Sequence, residues 1–411
     1  MLLVHKFQYK ADKVTNIILS SLTYASARLF NVGNYERHEY KSLGFDKMPD
    51  WYDQKKRLKD NIWFKSLPSQ TAQDILKRVE EGWKSYLKLL KTKGIENPNP
   101  PFYKPKGGHY NIKYLNNSFK VLGNTIRLMI SKNEKEYLKE KYNIDNKFIY
   151  IKLDKEIENI KQIEIKYINE YKYDINVIYE IPNIDIKECN DRYISIDIGI
   201  CNLATIYDNK GYCFIITGSA YQNALYYYNK KIAHYKSILD MQRGTTKCSS
   251  KRLNKLYDKK KRVITYILHK STKMIIDYCI NNDITRVIIG DITNIRKDND
   301  LGHENNQKLH SLPFFEFYKK IEYKLKLQGI SLIYQNEAYT SSCPIDSEDI
   351  KKEYQDKHRI ERGLYKHNNI IYNADCVGAY NIMRKYAINN NNIKITMINK
   401  GLSNPNKYVP V

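Results

Sequence analysis

Residues Asp191 to Thr205 read D-R-Y-I-S-I-D-I-G-I-C-N-L-A-T, and this stretch decides the fold. The apolar, β-branched run Tyr193–Ile196 predicts a buried strand that ends at an acid, Asp197. Because burying an unpaired carboxylate is costly, we interpret Asp197 as a ligand of a divalent metal ion. Gly199 would leave room for a metal or a phosphate near the backbone. An ordinary strand that ends in a turn aspartate is the alternative.

The residues after this stretch continue an α/β pattern. Three early strands and then alternating helices and strands predict a mixed sheet of the ribonuclease H kind over residues 191–388. The Asn-rich tail, residues 389–411, is expected to be poorly ordered. The predicted strands are Leu203–Asp208, Tyr212–Thr217, Arg286–Ile289 and Ser331–Gln335, and the predicted helices are two within residues 219–281, His310–Gln328 and Ala374–Lys385.

The residues before this stretch predict a different architecture. Short β segments in residues 1–12 and 101–190 suggest a small barrel or curled sheet. Helical periodicity fills residues 13–100, so these helices would be an insertion between strands. Asn97–Gly108, rich in proline and glycine, reads as a linker. The β segments are Met1–Tyr9, Thr125–Ser131, Phe148–Lys152, Gln162–Ile168 and Tyr173–Ile181.

Composition indicates a polyanionic partner. The 411 residues include 69 basic and 45 acidic side chains, a net charge of +24, and such a surplus suits nucleic acid. The 37 tyrosines fit base stacking, and they fit the codon bias of an AT-rich genome equally well. Seven scattered cysteines without a C-x-x-C argue for a reducing compartment. With no apolar run of about 18 residues, we expect a cytoplasmic protein that makes no membrane contact.

The acids suggest phosphodiester hydrolysis. Metal-assisted hydrolysis uses Mg²⁺ ions held by acids that converge from different elements, and Mn²⁺ is a possible substitute. Asp375, in N-A-D-C-V-G-A-Y-N-I, opens an amphipathic helix whose small residues would let it lie close to the sheet. An acid in the first turn of a helix is also explained by capping or by the helix dipole.

Five motifs occur along the chain in the order D-I-G-I-C-N, V-I-I-G-D-I-T-N-I-R, E-A-Y-T-S-S-C-P, R-G-L-Y and N-A-D-C-V-G-A-Y-N-I, with P-P-F-Y-K-P-K upstream. In this order they resemble the RuvC-type nuclease domain of the TnpB family, the transposon-encoded relatives of type V CRISPR effectors. The resemblance implies a protein that binds a guide RNA and cuts complementary double-stranded DNA beside a short flanking motif. It also implies a wedge barrel (1–12 and 101–190) with a helical recognition insertion (13–100). The oligomeric state stays open.

The chain departs from the family at the second catalytic acid. The family carries a glutamate at the end of the fourth strand, where this chain has Gly290 followed by Asp291. Glu337 lies just past the next strand, and the ends of parallel neighbours lie about 4.8 Å apart. A glutamate from there could reach over a glycine, so we predict that Asp197, Glu337 and Asp375 are the catalytic, Mg²⁺-binding acids. Asp291 is the alternative, although strand alternation turns it to the other face.

A second departure concerns zinc. The family's four-cysteine ribbon corresponds to residues 338–372, where Cys343 lacks its partner cysteine and only Asp346 and His367 remain nearby. Closed structural zinc sites need four nitrogen or sulfur ligands. We therefore predict a degenerate ribbon without structural zinc.

Basic residues give candidate nucleic-acid contacts. Arg296 could contact a phosphate, and Lys259, Lys260, Lys261 and Arg262 could face an RNA–DNA hybrid; the alternatives are a structural arginine and a solvated helix face. His269 and His310 stand in family-like contexts and are more simply structural. We expect the hybrid to lie in a basic channel between the helical insertion and the nuclease domain. Two other functions stay open: a guided DNA-binding protein that does not cut, as the loss at position 290 would allow, and an unguided RuvC-type nuclease.

Overall fold

The structure is a computed structural model that describes residues 1–92, 95–199, 201–245, 248–291, 313–355, 359–361, 363–390, 395, 397 and 399–410. The chain divides into two compact units, Met1–Asn183 and Ile184–Val411. Among the helices in these ranges, none combines the length and the apolar character needed to cross a lipid bilayer.

As far as the structure describes it, the N-terminal unit consists of two antiparallel sheets and a group of helices. Strand β1 pairs along its whole length with β7, although α1 to α4 follow it directly in the chain. The helices therefore interrupt a sheet, as the sequence predicts. The sheet orders are β1-β7-β6-β2 and β3-β4-β5; assigning them to a wedge barrel, and the helices to a recognition insertion, stays a prediction. The elements are β1 Leu2–Lys10, α1 Lys13–His38, α2 Trp51–Arg57, α3 Ile62–Lys65, α4 Ser69–Thr92, β2 Ile112–Leu115, β3 Phe119–Leu122, β4 Thr125–Met129, α5 Lys132–Tyr142, β5 Phe148–Lys152, β6 Ile160–Asn169 and β7 Lys172–Glu180.

The proline-rich segment after α4 packs against α1 and is not a free linker. The side chain of Asn31 accepts from Lys104 N at 2.7 Å and donates to Lys104 O at 2.9 Å. Asn34 donates to Pro101 O at 2.8 Å. Prolines have no N–H and leave their carbonyls without a regular ladder, so polar side chains of α1 satisfy those carbonyls and fix the segment.

The described residues of the C-terminal unit form a six-stranded mixed sheet in the order β12-β11-β8-β9-β10-β16. Strands β8, β9 and β10 are antiparallel neighbours, and β11 and β12 run parallel to β8. This arrangement is the ribonuclease H-like fold that the sequence predicts. The elements are β8 Tyr193–Asp197, β9 Asn202–Asp208, β10 Cys213–Thr217, α6 Ser219–Arg243, α7 Lys251–Asn281, β11 Arg286–Asp291, α8 Phe314–Lys326, β12 Ser331–Asn336, β13 Arg359–Glu361, β14 Leu364–His367, β15 Ile370–Asn373, α9 Ala374–Asn389, α10 Asn399–Ser403 and β16 Asn406–Tyr408.

Apolar layers cover the two faces of this sheet. Residues of α6, α7 and α8 pack on one face with Ile194, Ile196 and Ile289. Helix α9 packs on the other face with Tyr193 and Ile288. Because side chains alternate along a strand, even positions of β8 and odd positions of β11 face the three helices, whereas the alternate positions face α9.

The C-terminal tail corrects an expectation. Strand β16 extends the sheet by pairing parallel to β10, with Phe214 opposite Asn406. The side chain of Asn406 donates to the Tyr212 hydroxyl at 2.7 Å. The expectation of a poorly ordered tail is thus wrong for residues 406–408, because backbone pairing with an existing edge orders a segment that has little apolar surface of its own.

Candidate active site

Asp197 lies at the C-terminal end of β8 on the face covered by α9. It shares this face with Tyr193 and Ser195, and the Ser195 hydroxyl donates to Ala379 O of α9 at 2.6 Å. Gly378 stands where α9 passes Asp197: a Cβ atom at position 378 would lie 2.5 Å from Asp197 Oδ2. The small residues that the sequence predicts to bring α9 close to the sheet therefore make room for this carboxylate.

Glu337 places its carboxylate in the space left by Gly290. In the parallel pairing of β11 and β12, Gly290 lies opposite Gln335 and Asp291 opposite Asn336, and Glu337 follows directly. A Cβ atom at position 290 would lie 2.5 Å from Glu337 Cγ and closer still to the carboxylate. The helix α8 holds this part of β11, because the Tyr318 hydroxyl donates to Gly290 O. The predicted geometry of a glutamate that reaches over a glycine is what the structure contains.

The same face brings Glu337 towards Asp197. Gly290 is on the α9 side of β11, as Ile288 is. The Glu337 carboxylate, which occupies the space beside Gly290, therefore lies on the face of the sheet to which Asp197 points. Burial, then the charge of Asp197 and then that of Asp291, raise the pKa of Glu337 to about 8. Strand alternation turns Asp291 to the opposite face, where its side chain is exposed. Geometry thus favours Glu337 over Asp291 as the partner of Asp197.

Asp375 is in the first turn of α9 and is oriented by the motif around Asp197. Asn202, the last residue of D-I-G-I-C-N, donates from Nδ2 to Asp375 Oδ2 at 2.6 Å. Asn373 caps the helix by accepting from the backbone N–H groups of Asp375 and Cys376. The capping role that Asp375 itself could have filled therefore belongs to Asn373. The contact between Asn202 and Asp375 is not among the predictions from sequence, although the motif spacing draws attention to Asn202.

The residues present suit a hard divalent cation. Glu337 Oε1 is buried and has no hydrogen-bond partner among the residues that the structure describes. Carboxylate oxygens are the ligands that Mg²⁺ prefers, and one or two of them suffice because the ion keeps several waters. Within the described ranges, no three His, Cys, Asp or Glu side chains are grouped closely enough to hold one metal ion. The acids are thus brought to the same end of the sheet, but among the described residues they do not form a group of three close metal ligands.

The ribbon segment is held by hydrogen bonds of its own. The Cys343 thiol is buried and donates to Lys351 O at 3.3 Å, and burial raises its pKa. His367 and Asp346 contact each other at 2.8 Å. The absence of a structural zinc ion stays a prediction.

The basic run on α7 divides into two kinds of residue. Lys260 is half-buried and donates to Asn229 Oδ1 of α6 at 2.6 Å, so it links two helices. Lys259, Lys261 and Arg262 are exposed and could contact a phosphate. His269 is half-buried on α7, and burial lowers its pKa to about 4, as suits a structural role. Arg296 and His310 lie outside the described residues.

Two family models match the chain. Residues 176–296 match OrfB_IS605, described as "Probable transposase", and residues 314–382 match the Cas12f1-like TNB domain. The chain is 26% identical over 241 residues to the CRISPR-associated endodeoxyribonuclease Cas12f2 of Micrarchaeota archaeon (strain CG1_02_47_40). That alignment covers 56% of this chain and 43% of the relative, so the chain spans less than half of the relative's length.

A solved structure supports the fold. The protein in "Cryo-EM structure of the Cas12f1-sgRNA-target DNA complex" aligns with a TM-score of 0.52 at 15% identity, covering 90% of this chain and 83% of that one. At this identity the likeness establishes a RuvC-type nuclease fold and no more. The two family models support a relationship between this chain and the TnpB transposases and type V CRISPR effectors. The resemblance carried by the five motifs is confirmed.

Proposed function

We propose that this chain is an RNA-guided DNA endonuclease that hydrolyses phosphodiester bonds with Mg²⁺ or Mn²⁺. The observation that carries the proposal is the Glu337 carboxylate in the space of the missing side chain at position 290. If the chain had simply lost its second acid, a carboxylate beside position 290 would not be expected. Named relatives support the proposal: one is called an endodeoxyribonuclease, and another is named in complex with sgRNA and target DNA.

Asp197, Glu337 and Asp375 are the residues that would hold the metal. A bound Mg²⁺ supplies an activated water and neutralises the charge that develops on the phosphate. Asn202 orients Asp375 by donating to one of its carboxylate oxygens. Gly378 and Gly290 keep the space around Asp197 and Glu337 free of other side chains.

Guide RNA and target DNA are the partners that the charge of the molecule suits. A net charge of +24 attracts the phosphate backbones, and base pairing between guide and target supplies the sequence specificity. The exposed residues Lys259, Lys261 and Arg262 are candidate contacts to the hybrid. A short flanking DNA motif and its reading by the N-terminal unit follow from the family and belong to the same proposal.

Plasmid cleavage by the protein purified with its co-expressed RNA tests the proposal. We expect cutting by the wild type with Mg²⁺, none with EDTA, and none by Glu337→Gln. The matched variant Asp291→Asn keeps cutting, because Asp291 faces away from Asp197. Cutting by Glu337→Gln together with its loss in Asp291→Asn would reverse the assignment of the second acid.

A second candidate is a guided DNA-binding protein without nuclease activity. The observation that favours it is Gly290, which stands where the family carries a catalytic glutamate. Target binding that depends on the RNA, with no cuts under Mg²⁺ or Mn²⁺, would establish this function instead. Target binding independent of any RNA would indicate an unguided nuclease or binding protein.

A further inference from the structure

The proposed second acid is on a loop. Glu337 follows β12 directly, and the sheet pairing ends at Asn336. A side chain on a strand is oriented by the ladder on both sides, whereas Glu337 has the ladder on one side only. The position of its carboxylate therefore depends on what fixes the backbone after Asn336.

Lys385 of α9 contacts the residues on both sides of Glu337. Its Nζ donates to Ala338 O at 2.8 Å and to Asn336 Oδ1 at 3.3 Å. Asn336 Oδ1 also accepts from Ala338 N at 2.8 Å. These three hydrogen bonds close a small ring around Glu337, and Lys385 is the member that connects the ring to α9.

Helix α9 also fixes the continuation of this loop. The fully buried Asn381 donates to Thr340 O and to Cys343 O, both at 2.9 Å. Arg384 donates to Pro344 O at 2.9 Å. The helix that carries Asp375 and passes Asp197 at Gly378 thus also holds the chain on either side of Glu337.

We propose that Lys385 is a positioning residue for Glu337 and compensates for the move of the second acid from a strand to a loop. The proposal rests on the proposed function, in which Glu337 is a metal ligand. Lys385 acts through the backbone at residues 336 and 338. It keeps the Glu337 carboxylate over Gly290, on the face of the sheet where Asp197 points.

The sign of the effect on metal binding separates this role from a purely electrostatic one. An ammonium group close to a cation site repels the cation, so removing only its charge would tighten metal binding. Loss of a positioning contact has the opposite effect, because the ligand is no longer held in place. Residues that orient metal ligands typically account for about 10–100-fold in metal affinity.

Mn²⁺ binding to the full-length protein, followed by electron paramagnetic resonance of the free ion, tests the proposal without using cleavage. We expect Lys385→Met to weaken Mn²⁺ binding by about 10-fold or more. Lys385→Arg, which can donate to the same two acceptors, stays close to the wild type. Lys352→Met is the matched control, because Lys352 is an exposed lysine of the ribbon segment, and we expect it to bind like the wild type.

Two further variants make each outcome decisive. We expect Glu337→Gln to weaken Mn²⁺ binding. If Glu337→Gln does so, but Lys385→Met binds Mn²⁺ as tightly as the wild type or more tightly, the positioning role of Lys385 is wrong and the proposed function stands. If Glu337→Gln binds Mn²⁺ normally, the proposed ligand set is wrong. If Lys385→Met does not fold, Asn336→Ala serves in its place, because it removes one acceptor of Lys385. We expect Asn336→Ala to weaken Mn²⁺ binding several-fold. Wild-type Mn²⁺ affinity in this variant would overturn the inference.

Discussion

At the scale of single residues, Gly290 has the most direct consequence for the site. Its missing side chain is the space that the Glu337 carboxylate fills, so any Cβ atom at this position collides with that carboxylate. The requirement is one of space. Even a methyl group at this position would therefore displace the Glu337 carboxylate.

Gly290→Ala is expected to lower the cleavage rate by about 100-fold, because displacement of a catalytic group by about 1 Å has effects of this size. Single-turnover cleavage of a plasmid target measures the rate, and thermal unfolding checks that the fold survives. Gly82→Ala, whose Cβ would meet Pro101 Cγ at 3.3 Å, is a glycine-to-alanine control in the N-terminal unit. Wild-type cleavage by Gly290→Ala would show that Glu337 does not act from this position.

The converse change uses the same space. The double variant Gly290→Glu with Glu337→Ala removes the collision and returns a carboxylate to the strand, on the same face. We expect it to cut faster than Glu337→Ala alone. If the double variant is no more active than the single one, the two positions are not interchangeable sources of the second acid.

His109 gives a residue-scale prediction in the N-terminal unit. Its ring stacks on Tyr167 with 3.7 Å between centroids, and its Nδ1 is 2.9 Å from the Thr23 hydroxyl. Burial lowers the pKa of His109, so the fold favours the neutral ring. The corresponding stability is present above the unfolded pKa, about 6.5, and is lost as the pH falls through the lower folded value.

The free energy of unfolding of the full-length protein should therefore fall between about pH 7.5 and about pH 5 by more in the wild type than in His109→Asn. Urea unfolding monitored by circular dichroism at both pH values gives the difference. Other groups that titrate in this range contribute equally to both proteins and cancel in the comparison. Equal losses in the two proteins would show that His109 has no part in the pH dependence.

At the scale of elements, the sequence predicts those strands whose own residues carry the apolar pattern of a buried strand. The β-branched runs at Tyr193–Ile196 and Arg286–Ile289 predict β8 and β11, because fully buried strands are continuously apolar. The place of Glu337 follows from the spacing of two parallel strands and from the glycine at position 290 of the neighbouring strand. Strand β16 has no such pattern, since Asn406, Lys407 and Tyr408 are exposed and only pairing with β10 orders them.

Contacts between distant parts of the chain limit what the sequence predicts of the site. Lys385 and Asn336 are 49 positions apart, and Asn202 and Asp375 are 173 apart. Such pairs meet only after α9 has packed on the sheet. A lysine near the end of an amphipathic helix has the same appearance in sequence whether it binds a loop or faces solvent.

The pairing of α6 and α7 gives an element-scale prediction. Lys260 bonds Asn229 across the two helices, and burial lowers its pKa. We expect Lys260→Met to lower the free energy of unfolding by about 1 kcal/mol, and Lys259→Met, at an exposed neighbouring position, to change it by less than about 0.5 kcal/mol. Urea unfolding measures both, and hydrogen exchange locates the change in residues 219–281. Equal effects of the two variants would contradict the linking role of Lys260.

At the scale of the whole molecule, the net charge determines how the affinity for a nucleic acid would depend on salt concentration. With 69 basic and 45 acidic residues, binding of a nucleic acid releases condensed counterions, so the affinity must fall as salt rises. The matches to the two family models and the net charge are separate observations, and both favour the nucleic-acid partner proposed above. Salt dependence tests the charge directly, because it does not require cleavage or knowledge of the guide sequence.

We expect the logarithm of the affinity for an RNA–DNA hybrid to fall linearly with the logarithm of the salt concentration. Replacing Lys259 by Gln should reduce the slope by about 0.9 if this side chain contacts a phosphate. Lys260→Gln should leave the slope unchanged, because the Lys260 ammonium group is held by Asn229. Fluorescence anisotropy with a labelled hybrid over a range of salt concentrations measures all three proteins. If Lys260→Gln lowers the slope and Lys259→Gln does not, the phosphate lies on the other side of α7. If the wild-type slope is near zero, the surplus charge does not serve nucleic-acid binding.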